Sequence, residues 1–173
     1  MNNFWVPLQD FSLSNDQIQH AMFSLGLVAA IVATKRFLPI YILLAWPATI
    51  VHELSHFIVG VLLQARPVGF SVIPKRSATG WTLGEVRFSD LGPFNTIPVA
   101  MAPLLIMLPV AVWMSTALPC PFLPGHALGV AELLLGCWPS PQDWRLAGRS
   151  LFVLAFIGVL SYLLVHIFFG HSN

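Results

Sequence analysis

Ile50-Val51-His52-Glu53-Leu54-Ser55-His56-Phe57-Ile58-Val59 sits inside residues 37–65, a run of 29 residues with no Lys, Arg or Asp. Glu53 is the only carboxylate in that run. A stretch this long and apolar reads as a membrane-crossing helix, which needs about 20 apolar residues. On a helix, two imidazoles four apart lie one above the other on one face, and both ring nitrogens can reach a single ion at about 2.0–2.1 Å. Glu53 follows the first histidine, roughly 100° around the helix, where its carboxylate can take a proton from a water activated at that ion. The pattern is H-E-x-x-H, the helix of zinc metalloproteases.

The pattern has two simpler possible origins. With six His and three Glu in 173 residues, chance supplies the pattern in roughly 0.4% of such chains. Satisfied core histidines are the other. An ionisable trio in apolar sequence is expensive unless it is paired or holds a metal, and that favours the site.

The composition fixes the setting. The chain is 57% hydrophobic and only 9% charged, with a mean hydropathy of +0.79. Soluble domains carry about 25% charged residues. We therefore expect an all-α polytopic membrane protein, a single bundle of about four to six transmembrane segments over residues 1–173 with no sizeable soluble domain. A net charge of +1 speaks against nucleic acid as a partner. Cys120 and Cys137 are too few for a disulfide framework and lack C-x-x-C spacing. The first 17 residues contain Asp10 and Asp16 but no Lys or Arg. They lack a basic signal-peptide start, so the N-terminus is expected to be retained.

Residues 1–36 read as an amphipathic lead with anchors Phe4, Trp5 and Phe11, a helix start near Ser14, and a first span ended by Lys35-Arg36. Residues 37–65 form the zinc helix, with a break expected at Trp46-Pro47, one turn before His52. Residues 66–92 change character. Apolar and polar residues alternate over 69–73 and 81–88, around the turn-like 74–80, predicting a small β-hairpin at the membrane surface rather than a plain loop. Residues 93–169 hold the remaining spans: one over 93–117 with Pro98, Pro103 and Pro109, a proline-rich turn at 118–125, a short apolar segment at 126–138 carrying Glu132, and a last span at 150–169. More positive charge on Arg66, Lys75, Arg76 and Arg87 than on Lys35 and Arg36 places the hairpin in the cytoplasm, with the metal nearer that face.

A catalytic zinc keeps three protein ligands and one open position. With Glu53 as base, Asp10 and Asp16 before the first span, and Glu85 and Asp90 in the hairpin loop, two candidates remain for the third ligand. Asp143 follows a Pro-Ser-Pro turn, where it or Ser140 could equally cap a helix. Glu132 could ligate, stay protonated, or pair with Arg145 or Arg149.

Taken together, His52-Glu53-x-x-His56 in a span, a surface β-segment, Gly92-Pro93-Phe94-Asn95 opening the next span and Pro139-Ser140-Pro141-x-Asp143-Trp144 resemble the site-2 protease family over residues 44–160. That resemblance implies a three-span core with His52 and His56 on the first span and Asp143 on the third as zinc ligands. It also implies Glu53 as general base, Asn95 as an oxyanion or substrate contact, and a transmembrane segment of another protein as substrate. The chain departs from the family's N-x-x-P-x-x-x-x-D-G motif: Asn95-x-x-Pro98 is present, but Pro103-Leu104 stands in the Asp-Gly place. An alternative from a different class is a membrane metal transporter or sensor, with His52, His56, His126, His166 and His171 along its path and Glu53 as a proton relay. A catalytically dead scaffold retaining the zinc helix is a third.

Overall fold

A computed structural model describes residues 14–77, 80–117 and 124–169. The anchors Phe4, Trp5 and Phe11, as well as Cys120 and His171, lie outside the described residues. Helices dominate: α1 (Asn15–Ala33), α2 (Leu38–Leu62), α3 (Pro93–Ala100), α4 (Ala102–Ala117), α5 (Pro124–Gly136) and α6 (Pro141–Phe169). A 3₁₀ turn, Thr34–Arg36, joins α1 to α2. Four stretches are long and apolar enough to cross a membrane: Asn15–Arg36, Leu38–Leu62, Pro93–Thr116 and Pro141–Tyr162. The chain is thus an all-α polytopic membrane protein with a small antiparallel β element. At 13 residues, α5 measures about 20 Å, short of the roughly 30 Å hydrocarbon core.

Local chemistry sets the boundaries. Ser14 caps α1 reciprocally: its hydroxyl accepts from the Gln17 amide at 3.2 Å, and Gln17 Oε1 accepts from the Ser14 amide at 2.8 Å. The Gln17 side chain then donates to Thr116 O at 2.7 Å, tying the start of α1 to the end of α4. Helix α2 ends in a Schellman motif in which Ala65 N–H donates to Gly60 O (2.8 Å) and Gln64 N–H to Val61 O (3.1 Å). Gln64 holds the left-handed position there, φ 57°, where glycine is usual. Pro47 lies inside α2, which continues through it as one helix from Leu38 to Leu62. The expected break is therefore absorbed without a new helix start. At Pro103 the outcome differs: α3 and α4 separate at Met101, because proline withdraws the amide that Val99 O would have accepted.

The β element is a longer hairpin than the alternation alone indicates. β1 (Pro67–Ser71) pairs with β4 (Glu85–Phe88), with an irregularity between Pro67 and Gly69. Beyond them β2 (Lys75–Ser77) pairs with β3 (Gly80–Thr82), so part of the expected turn is strand. The hairpin is laid along α2. Phe70 and Phe57 meet edge to face at 5.7 Å, the Phe88 ring lies against Gly60, Gly84 lies against Glu53, and Trp46 Nε1 donates to Val72 O at 2.8 Å. Strand backbone alongside a spanning helix is tolerable where it is covered by protein or lines a wet cavity.

Gly60 is where α2 and β4 meet most closely, since a Cβ there would overlap the Phe88 ring. Gly60→Val should lower stability by about 1–3 kcal/mol through overpacking, read as a lower unfolding midpoint in detergent. Gly26→Val, at a position with open space around it, should leave that midpoint nearly unchanged. Equal midpoints for the two variants would contradict this packing.

Candidate metal centre

Each site residue is set by a backbone feature that the sequence encodes. On α2, His52 and His56 share one face. His52 Nδ1 lies 2.7 Å from Gly136 O, and His56 Nδ1 lies 2.7 Å from Val99 O. A carbonyl only accepts, so both rings carry a proton on Nδ1 and turn Nε2 inward, the nitrogen that can ligate when the ring is neutral. Both carbonyls lack the partner a helix would normally give them. Gly136 is the last residue of α5, and Val99 stands four residues before Pro103, which has no amide to offer. The second of these is a use of Pro103 that the motif comparison does not reveal.

Asp143 comes from the start of α6. Ser140 and Asp143 form a reciprocal cap: Asp143 Oδ2 accepts from the Ser140 amide at 2.7 Å, and the Asp143 amide donates to Ser140 Oγ at 3.3 Å. Helix capping and a ligand role are compatible here. The cap holds the carboxylate still through Oδ2, and the group still faces both histidines, Oδ2 towards His52 and Oδ1 towards His56. Among the described side chains of α6, Asp143, Ala147 and Ser150 are buried; they share one face, and α6 packs against α3.

The donor atoms converge. His52 Nε2 and His56 Nε2 are 3.2 Å apart. Asp143 Oδ2 lies 3.5 Å from His52 Nε2, and Asp143 Oδ1 lies 3.5 Å from His56 Nε2. A tetrahedral ion with arms of 2.0–2.1 Å has ligand–ligand edges of about 3.3 Å. Two neutral imidazoles and a carboxylate this close repel one another unless a proton or a metal ion lies among them. His52, His56 and Asp143 can therefore hold a metal ion, and their donor set fits one.

Glu53 is buried at 9% exposure, and its side chain lies against Gly84 between β3 and β4. A Cβ at position 84 would overlap Glu53 Cγ and approach Oε1. Gly84 is a site residue that sequence reasoning missed; a glycine interrupting a strand pattern is the signal for such close backbone approach. A cavity of about 420 Å³, lined by His52, Glu53, His56 and Asp143 together with Thr96 and Gln142, opens over the group.

Two residues singled out in the sequence lie elsewhere. Asn95 is not brought to the group: its Oδ1 accepts from Gly92 N–H at 2.8 Å and its Nδ2 donates to Asp90 O at 3.1 Å, so the side chain caps α3. It does not line the cavity over the histidines. Glu132 accepts from the Ala48 amide at 3.1 Å and stands outside the convergent set. His126 pairs with His20, Nδ1 to Nε2 at 2.8 Å, and Cys137 donates to Leu134 O. Compared with family models, curated proteins and solved structures, the chain gives no match.

Purified protein should bind close to one transition-metal ion per chain, measured by elemental analysis after dialysis. Asp143→Ala should lose it. Ser140→Ala keeps the backbone amide that holds Asp143 Oδ2 and loses only the hydroxyl that caps the Asp143 amide, so it should weaken binding by at most about 10-fold. Full metal content in Asp143→Ala would remove that residue from the set.

Proposed function

We propose that the chain is a zinc-dependent endopeptidase of the membrane, cleaving a transmembrane or membrane-proximal segment of another membrane protein. The observation that carries this reading is the convergence of His52, His56 and Asp143 with Glu53 beside them, on helices apolar enough to cross a bilayer. Two imidazoles and a carboxylate are a donor set suited to zinc. The resemblance of the H-E-x-x-H span and the late aspartate to the site-2 protease family supports the same class.

A bound zinc ion would supply Lewis acidity to the scissile carbonyl and to water. The protein's own residues do the rest. His52, His56 and Asp143 hold three positions and leave one side open to the cavity. Glu53 takes a proton from the attacking water as its oxygen bonds to the carbonyl carbon, then delivers a proton to the amine as the C–N bond breaks. Gly84 confines the Glu53 side chain, limiting where that carboxylate can point. A helical peptide bond is shielded by its own turn, so the substrate must unwind locally. The open edges of the β1–β4 pair offer amides and carbonyls to the extended chain that results. The charges on Arg66, Lys75, Arg76 and Arg87 orient the hairpin towards the cytoplasm of a cytoplasmic or inner membrane.

The transport reading gains little support. His20 and His126 bond to each other, and His126 does not join the convergent set.

In detergent, with unstructured casein as a generic probe, Glu53→Gln should retain metal and lose about 10²–10⁴-fold in cleavage rate. Chelation should abolish wild-type cleavage, and added zinc should restore it. Wild-type rates in metal-loaded Glu53→Gln would overturn the endopeptidase reading.

A further inference from the structure

Helix α5 meets α2 through two hydrogen bonds of matching spacing. On α2 the donors are the Ala48 amide and His52 Nδ1, four residues apart. On α5 the acceptors are Glu132 Oε2, at 3.1 Å, and Gly136 O, at 2.7 Å, also four apart. The lower bond falls at the weak point of α2. Pro47 offers no amide, so Leu43 O lacks its usual helical partner and the continuous helix α2 is held less firmly by its own hydrogen bonds at this turn. Glu132 gives that turn a partner from outside, at Ala48. The pair is closely fitted, because a Cβ on Gly136 would run into Ala48 O and the Met107 side chain.

We infer that Glu132 is a positioning residue for the metal group: from a neighbouring helix it braces α2 at Ala48, just past Pro47 and one turn before His52. With Ala48 held, the turn from Ala48 to His52 has a fixed rotation, and His52 Nδ1 falls on Gly136 O. Its Nε2 is thereby aimed at His56 and Asp143. Without an acceptor at position 132 the Pro47 turn can rotate, and His52 loses its bearing while Asp143 keeps its own cap. The carboxylate needs only to accept a hydrogen bond, so an amide oxygen serves equally well. This inference rests on the metal-site reading and needs no catalytic step.

The test uses cobalt(II) as the probe on full-length protein in detergent, reading visible ligand-field bands and affinity by chelator competition. Glu132→Met keeps the shape and removes the acceptor. It should bind cobalt about 10–100-fold more weakly, with an altered band pattern. Glu132→Gln should restore both affinity and bands. Loss of folded protein alone would lower the yield without changing the spectrum of the folded fraction. Should Glu132→Met fail to give monodisperse protein, Glu132→Asp, one methylene short of Ala48, carries the same expectation. Wild-type bands and affinity in the acceptor-free variant would overturn the positioning role while leaving the metal site standing. A wild-type protein that takes up no cobalt would overturn the metal-site reading, and the positioning role with it.

Discussion

Two imidazole nitrogens 3.2 Å apart, with a carboxylate closing on both, are the constraint around which the rest of the structure is arranged. Unprotonated and in an apolar setting, such a group is unfavourable alone, because three electron-rich atoms repel at short range with little solvent to screen them. A cation reverses the sign. Each ligand has its own hydrogen-bond partner: Gly136 O for His52, Val99 O for His56 and the Ser140 amide for Asp143.

That support comes largely from backbone groups that regular helices leave unused. Val99 O is freed by Pro103 and accepts a hydrogen bond from His56 Nδ1. Gly136 O is freed by the end of α5 and accepts one from His52 Nδ1. The Ser140 amide at the start of α6 holds Asp143. Prolines and helix ends would be liabilities in a membrane, where an unpaired carbonyl has no water to turn to. Here each one becomes a fixed partner for a side chain at the site. The hairpin adds the remaining wall, with Gly84 against Glu53 and Phe88 against Gly60.

Much of this could be read from the sequence, for reasons that can be stated. Apolar runs of spanning length and a 3.6-residue period give the helices, and H-E-x-x-H fixes two ligands on one helical face whatever surrounds them. Alternation at 69–73 and 81–88 gives the strands, because period two is a local property. Tertiary geometry hid the rest. By residue type alone Glu132 and Asp143 are alike, and only the proline-flanked segment around Asp143, through the resemblance, singles that residue out. The bond from Ala48 to Glu132, just past Pro47, shows only in the fold. The resemblance gives Asn95 an oxyanion or substrate contact; three residues past Gly92 it also has the reach to cap its own helix, and it does so. The hairpin's path along α2 depends on Gly60 and Gly84, whose missing side chains matter only once their neighbours are known.

The central claim is that His52, His56 and Asp143 ligate one ion together. X-ray absorption spectroscopy of the zinc-loaded, full-length protein tests it most directly. The account predicts a first shell of nitrogen and oxygen at about 2.0–2.1 Å, with outer-shell scattering that fits two imidazoles and no sulfur. A shell containing sulfur, or one with a single imidazole or none, would contradict it.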